Sequence, residues 1–172
     1  MDIHQAIRTR RSIRRYTDRP VSREDLLRLV EAGCWAPTAS NLQAWRFVIL
    51  TRPDRLRALR VLAPGFIGRA PAAIVICQDV GHIEQRAGAA AVDFCAKMDS
   101  ACAAQNIMLE AHGLGLGTCA VGSFEVGGLQ DLLDLPEHVV PVLLIAVGYP
   151  KAQPAPPERH IEGSYYFEDY HE

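Results

Sequence analysis

The chain has 172 residues, of which 49% are hydrophobic and 22% are charged, and its formal net charge is −2. This length can bury a substantial core and the composition is ordinary for a globular protein, so we expect one domain spanning residues 1–172. The basic charge is local, since six arginines lie within residues 1–19 and the remaining residues are net acidic. A nucleic-acid-binding protein usually spreads its basic charge over a whole face, so this distribution favours a small anionic ligand instead.

Cysteine usage and hydropathy indicate a cytoplasmic protein. The five cysteines occur mostly in apolar stretches and form no Cys-x-x-Cys motif, which is typical of reduced, buried thiols. The N-terminus lacks the apolar core of a signal peptide, and the longest apolar run is far shorter than the roughly 20 residues that span a bilayer. The six histidines are scattered, so we expect no metal site and no membrane partner.

In the first half of the chain, the predicted elements are a helix over residues 3–9, a helix after Ser22 that stops before Pro37, a polar loop over 36–44, a strand over 45–51 and a helix over 53–62. Asp2 can cap the first helix by accepting from the backbone N–H groups of its first turn. Ser22, with Asp25 three residues later, resembles a capping box for the second helix. Pro53 is favoured in the first turn of the third.

In the second half, the predicted elements are a strand over 72–77, a long Ala-rich helix over about 84–112, a strand that begins at residue 118, a helix over 126–133, a strand over 139–149 and a proline-rich tail. The long helix is apolar around much of its surface, so we expect one side to pack on the sheet and the other on a partner helix. Gly113, Gly115 and Gly117 do not form a dinucleotide fingerprint, because that motif follows a strand and opens a helix. We expect them to end the helix and to permit close backbone approach.

Three arginines frame one serine in the segment Arg10-Arg11-Ser12-Ile13-Arg14. Arginine presents a fixed fork of donors that matches phosphate oxygens two at a time, so the segment is a candidate phosphate site. The alternative is a solvated basic helix end, which is the common fate of a charge run. An apolar residue between the cations favours a half-buried turn, and an arginine in the tail could fold back to join them.

The polar loop over 36–44 is a second candidate, because it contains Thr38, Ser40, Asn41 and Gln43. Such residues are common in helix-to-strand connections, where they supply turn chemistry. They could equally offer hydroxyl and amide groups to a ligand rich in hydroxyls and ring carbonyls. The loop by itself leaves both interpretations open.

Taken together, four segments resemble the nitroreductase family of flavin-dependent oxidoreductases over roughly residues 3–160. The four segments are Arg10-Arg11-Ser12-Ile13-Arg14, residues 36–47, residues 110–119 continued by Gly122-Ser123-Phe124, and Gly148-Tyr149-Pro150 with Arg159 downstream. The resemblance implies an α+β fold of three layers, α-β-α, with a central, mostly antiparallel sheet and a long central helix at a homodimer interface. It also implies FMN as the cofactor, two FMN sites per dimer, and NADH or NADPH as the cosubstrate.

The resemblance further implies roles for individual residues. By that resemblance, the FMN phosphate is bound by Arg10, Arg11 and Ser12, with Arg159 closing on it, and Arg14 lies nearer the pyrimidine edge of the flavin. The loop residues approach from the partner subunit: Thr38, Ser40, Asn41 and Gln43. The flavin ring faces the backbone of Cys119, Ala120, Val121 and Gly122. We expect no catalytic side chain, because the flavin itself takes hydride from the nicotinamide. A nitroaromatic or quinone would then take its electrons in a ping-pong cycle.

The chain departs from the family pattern at Thr38, Ala44 and Ala120, where the family has Ser, Pro and Trp. It is also short, with little room for the inserted lid helices of longer relatives. Two alternatives keep the same fold: an enzyme that fragments flavin or removes halogen, and a flavin-binding protein without turnover. A third is a basic-patch nucleic-acid-binding protein. Three further arginines have no assigned role and are expected at the surface: Arg8, Arg15 and Arg19.

Overall fold

The computed structural model describes residues 2–64 and 68–170. In chain order the elements are α1 (Ile3–Thr9), α2 (Arg23–Cys34), a 3-10 turn (Ala39–Asn41), β1 (Trp45–Leu50), α3 (Pro53–Leu62), β2 (Ala72–Asp79), α4 (Val80–Ala87), a 3-10 turn (Ala89–Ala91), α5 (Val92–Gly113), β3 (Gly117–Val121), α6 (Val126–Leu133) and β4 (Val139–Gly148). The predicted caps are present, since Asp2 accepts from Gln5 N at 2.8 Å and Ser22 Oγ accepts from Asp25 N at 3.0 Å.

The four strands form one sheet in the order β1-β2-β4-β3, and all three pairings are antiparallel. The central strand β2 is buried along nearly its whole length, which explains its continuous run of apolar residues. A bulge lies between Ile76 and Cys77, where β2 pairs with β4. The strands β1 and β3 form the two edges of the sheet.

Helices cover both faces of the sheet. Alternate β2 residues such as Ile74 and Ile76 pack with Leu29 of α2 and Ile107 of α5. The intervening β2 residues, such as Val75, pack on the other face in a cluster that contains residues of α3 and α6. Each face of the strand therefore has its own apolar core, and the architecture is the predicted α+β arrangement of three layers, α-β-α.

The long helix predicted over about 84–112 is wrong in its first part. The chain instead forms α4, turns at Gly88, and begins the 22-residue helix α5 only at Val92. Gly88 has φ of 87°, a left-handed conformation that ends a helix and favours glycine. The alanines that follow Gly88 have a high helix propensity, but they do not continue the helix through this residue. In the described part of the chain, no helix combines the length and the apolar character needed to cross a membrane.

Candidate functional site

The arginine segment leaves α1 in an extended conformation and lies against the sheet edge. Arg10 closes α1 with φ of −57° and ψ of 137°. Ile13 is buried, and its N–H donates to the carbonyl of Thr118 in β3 at 2.8 Å. Ser12 forms an isolated parallel bridge with the same residue. The segment is therefore half-buried as predicted, although it is extended rather than a turn, and its contact with Thr118 holds the arginines beside β3.

Gly117 makes this approach to β3 possible. A Cβ atom at this position would lie 2.6 Å from Ile13 Cγ1, closer than real Cβ contacts come. Gly115, two residues earlier, has φ of 74° and follows the end of α5. The glycines therefore end the helix and admit a neighbouring side chain, as the order of elements predicts.

The tail brings Arg159 to the N-terminal arginines. A cavity of about 240 Å³ is lined by Arg10, Arg11, Ser12, Arg14 and Arg159, together with tail residues of which two are prolines. Within residues 2–64 and 68–170, none of the four arginines forms a salt bridge. Four cations around one cavity without acidic partners make a strong site for an anion.

Among the arginines of this cavity, Arg10 would be stabilised most by a bound anion. Its Nη1 is buried and has no hydrogen-bond partner among the described residues. Burial, and then the positive charges of Arg11 and Arg159, lower the pKa of its guanidinium below the ordinary value. An anion in the cavity would supply both the missing acceptor and the missing charge.

Two neighbouring groups shape the electrostatics of this region. Arg11 donates from Nη1 to the carbonyls of Arg8 and Arg10, each at 2.7 Å, which orients its guanidinium. His112, in the last turn of α5, has its Nε2 2.8 Å from the hydroxyl oxygen of Thr9. Burial, followed by the charges of Arg10 and Arg11, lowers the pKa of His112, which favours its neutral form.

The beginning of the tail docks on the segment that follows the arginines. Lys151 N donates to Arg15 O at 2.9 Å, and Thr17 N donates to Tyr149 O at 2.9 Å. The guanidinium carbon of Arg19 lies 3.8 Å from the centre of the Tyr149 ring, a cation–π contact. Arg8, Arg15 and Arg19 are exposed as predicted, but Arg19 also helps to hold the tail.

The polar loop adopts an unusual backbone. Ser40, Asn41 and Gln43 have φ of 47°, 54° and 51°, and all three residues are exposed. Thr38 is half-buried and uses its hydroxyl oxygen to accept from Gln43 N at 3.2 Å. Left-handed residues other than glycine cost on the order of 1–3 kcal/mol each and are concentrated at ligand sites.

One chain does not bring the loop and the arginines together. The loop contacts α5 at Asp99, whereas the end of α1 contacts α5 at His112. Thirteen residues of helix separate these contacts, which corresponds to about 20 Å at 1.5 Å per residue. Within one chain the polar loop and the arginines therefore contact opposite halves of α5.

Cys119, Ala120 and Val121 of β3, and Gly122 directly after it, lie at the sheet edge beside the arginines. Cys119 and Val121 are buried, whereas Ala120 and Gly122 are exposed. Burial raises the pKa of the Cys119 thiol, so it is a packing residue rather than a thiolate. Backbone groups alternate in direction along an antiparallel strand, so those of Ala120 face the same outer edge as those of Thr118.

The sequence model of the nitroreductase family matches residues 7–64 and 55–149, which together span most of the chain. The chain belongs to the nitroreductase family. The matched residues include the arginine segment, the polar loop and β3, but not the tail that carries Arg159.

Individual relatives agree with this nitroreductase assignment. A Methanothermobacter thermautotrophicus protein, provisionally named an NADH dehydrogenase/NAD(P)H nitroreductase, is 36% identical over 160 residues, which cover 90% of this chain and 80% of the relative. An FMN reductase (NADPH) of Bacillus subtilis is 30% identical over 161 residues, covering 85% of this chain and 65% of the reductase. The solved structure of a B. subtilis nitroreductase has a TM-score of 0.86 at 28% identity, covering 98% of this chain and 74% of that one.

The sequence did not predict the contacts that Asp99, His112 and Arg19 make around the candidate site of this nitroreductase-family chain. Asp99 could have been noticed in the sequence, since it is a carboxylate four residues after Cys95 on the mostly apolar buried stripe of α5. Its carboxylate accepts from Ala39 N in the polar loop. The contacts of His112 and Arg19 join residues more than 100 positions apart, so local patterns do not predict them.

Proposed function

We propose that this protein is an FMN-dependent oxidoreductase that oxidises NADH or NADPH and reduces an electron-poor acceptor such as a nitroaromatic or a quinone. The observation that carries the proposal is the cavity of unpaired arginines with the buried, unpartnered Nη1 of Arg10. The names of the relatives indicate the class of redox reaction, since they include an FMN reductase (NADPH) and an NADH dehydrogenase.

The side chains around the cavity fit a phosphomonoester. Arg10, Arg11 and Arg159 would bind the phosphate of FMN, and the Ser12 hydroxyl would add a further donor. A phosphate that carries up to two negative charges offsets both the burial of Arg10 and its repulsion by Arg11 and Arg159. Each hydrogen bond to such a charged group contributes about 1.5–3 kcal/mol.

The other predicted residues would hold the flavin ring. Arg14 is exposed at the mouth of the same cavity, where a cation near the pyrimidine edge stabilises the anionic reduced flavin. The outer edge of β3, from Cys119 to Gly122, would offer backbone groups to the ring. In the partner subunit, Thr38, Ser40, Asn41 and Gln43 would complete the site, which agrees with their distance from the arginines in one chain.

When bound, FMN would supply the redox chemistry, as an acceptor of hydride from the nicotinamide and a donor of electrons to the second substrate. The protein contributes binding, orientation and charge. A catalytic side chain is therefore not proposed, and the cysteine beside the site, Cys119, is assigned to packing.

We also propose a homodimer of single-domain subunits located in the cytoplasm. The exposed apolar residues Phe94 and Met98 on α5, and Trp35 after α2, support an interface along the long helix. Phe94 is 66% exposed and Trp35 is 81% exposed in the single chain, which is costly for large apolar side chains in water. All five cysteines are free thiols, as expected in a reducing compartment.

The experiment that tests the function is an anaerobic titration of the FMN-loaded protein with NADH or NADPH. We expect loss of the oxidised flavin absorbance, and its return when a quinone or nitroaromatic is added without further nicotinamide. Flavin that stays oxidised with both nicotinamides would overturn the proposed activity. Loss of the flavin itself under air and reductant would instead indicate the flavin-fragmenting alternative.

A further inference from the structure

Asp99 is a buried carboxylate on the long helix α5. It is 4% exposed, and its Oδ1 accepts from Ala39 N in the polar loop at 3.1 Å. Its Oδ2 is buried without a hydrogen-bond partner in the described part of the chain. Burial raises the pKa of this carboxyl group, which reflects the cost of keeping it ionised. An unpartnered carboxylate oxygen at this position therefore lowers the stability of the fold.

The loop that Asp99 holds is conformationally costly. Ser40, Asn41 and Gln43 are all left-handed, and strained residues persist only where the surroundings over-determine them. The other hydrogen bonds of residues 38–43 are local ones, such as Asn41 N to Thr38 O at 3.1 Å. Across residues 2–64 and 68–170, the bond to Asp99 is the only hydrogen bond from this loop to another element.

We propose that Asp99 is a positioning residue that holds the 38–43 loop in the conformation in which it contacts the flavin bound by the partner subunit. This inference rests on the proposed FMN site. The apparent dissociation constant of a ligand rises in inverse proportion to the fraction of protein in the binding conformation. Losing the bond to Ala39 N releases the strained loop into other conformations, and FMN affinity falls although no residue in contact with the flavin has changed.

Three variants separate positioning from general stabilisation. Asp99→Ala removes the acceptor, and we expect the FMN dissociation constant to rise about tenfold. Asp99→Asn keeps a carbonyl oxygen able to accept from Ala39 N, and we expect it to stay within about threefold of the parent protein. Asp93→Ala is the matched control on the same helix, where the carboxylate is exposed and, among the described residues, forms an ion pair with Lys97 alone. Its FMN affinity should not change.

Two measurements on the flavin-free protein complete the test. In Asp99→Ala we expect faster hydrogen exchange at the amide of Ala39 by about tenfold, because that amide loses its acceptor. The thermal midpoint should stay equal or rise, because the variant also removes a buried, unpaired oxygen. A purely structural role would lower the midpoint and the affinity together.

The inference is overturned if Asp99→Ala binds FMN as tightly as Asp93→Ala, or if Asp99→Asn loses as much affinity as Asp99→Ala. It is also overturned if the loss of affinity follows a fall in the thermal midpoint. Failure of the proposed function has a different signature, because the parent protein itself would then bind no FMN.

Discussion

Arg10 has a proposed role in FMN binding, and its buried charge is unfavourable in the flavin-free protein. Its guanidinium is half-buried, lacks a partner at Nη1, and lies near Arg11 and Arg159. For Arg10→Met we expect FMN affinity to fall about 10- to 100-fold, because charge-assisted bonds to phosphate are lost. The free energy of unfolding of the flavin-free protein should not fall, because an uncompensated buried charge is removed.

Flavin fluorescence titration and denaturant unfolding measure these two quantities. Arg15→Met is the matched control, since Arg15 is exposed, lines none of the cavities around the arginine cluster and contacts the tail through its carbonyl. An Arg10→Met protein with parental FMN affinity would remove Arg10 from the phosphate site.

His112 makes the stability of the flavin-free protein depend on pH. Its pKa is lowered in the folded state, so the unfolded chain takes up a proton on this histidine at higher pH than the folded chain does. Stability should therefore fall as pH drops below about 6.5, the ordinary histidine value, and level off below the folded pKa. In His112→Gln, the contribution of this histidine to the pH dependence of stability is absent.

The measurement is the denaturant free energy of unfolding at pH 7.5 and pH 5.5 for both proteins. We expect a smaller loss on acidification in His112→Gln than in the parent. His4→Gln serves as a control, because His4 is exposed on α1. Equal losses in the parent and His112→Gln would contradict the assigned pKa shift.

At the scale of elements, the contact between the arginine segment and β3 depends on the lack of a side chain at Gly117. Gly117→Ala would place a Cβ atom 2.6 Å from Ile13 Cγ1, in a contact that the sheet cannot easily widen. We expect a loss of about 1–3 kcal/mol in the free energy of unfolding, which is typical of overpacking. FMN affinity should fall as well, because the same contact positions Ser12 and the arginines.

Gly113→Ala is the matched control for that variant. A Cβ at Gly113 meets nothing within 4 Å, and alanine is favoured over glycine in a helix. Unfolding by denaturant should show no loss of stability there. If Gly117→Ala were as stable as Gly113→Ala, the close approach of the two segments would be wrong.

Elements with local signals were predictable from the sequence, and those set by distant contacts were not. Asp2, Ser22 and Pro53 place helix starts through chemistry within one turn. The break at Gly88 was missed because the alanines on either side favour a continuous helix. The left-handed loop was missed because nothing local in the sequence indicates it, and its hydrogen bond to α5 joins Ala39 to Asp99, sixty residues further along the chain.

In the candidate site, too, local motifs were predictable from the sequence and contacts between distant residues were not. The arginine segment and the polar loop were recognised because each is a compact motif in the sequence. Their separation along α5, and the docking of the tail through Tyr149, follow from the packed molecule. Candidate site residues can therefore be proposed from sequence motifs, whereas the distance between the two motifs within one chain requires the fold.

At the scale of the whole molecule, the central claim is a flavin site assembled from two copies of the chain. The arginines lie near the C-terminal end of α5 and the polar loop lies near its N-terminal half. Large apolar residues such as Phe94 and Met98 are exposed on the N-terminal half of α5. A symmetric dimer through this surface would build two identical sites, each with arginines from one subunit and the loop from the other.

The most direct test is FMN binding to a mixed dimer that carries Arg10→Met in one subunit and Asn41→Ala in the other, purified through two different tags. Dimers of either variant alone should bind FMN weakly at both sites. In the mixed dimer, one site receives both changes and the other receives neither, so we predict one tightly bound FMN per dimer. A mixed dimer with no tight site would show that the arginines and the loop of a single chain act together, and would contradict the account.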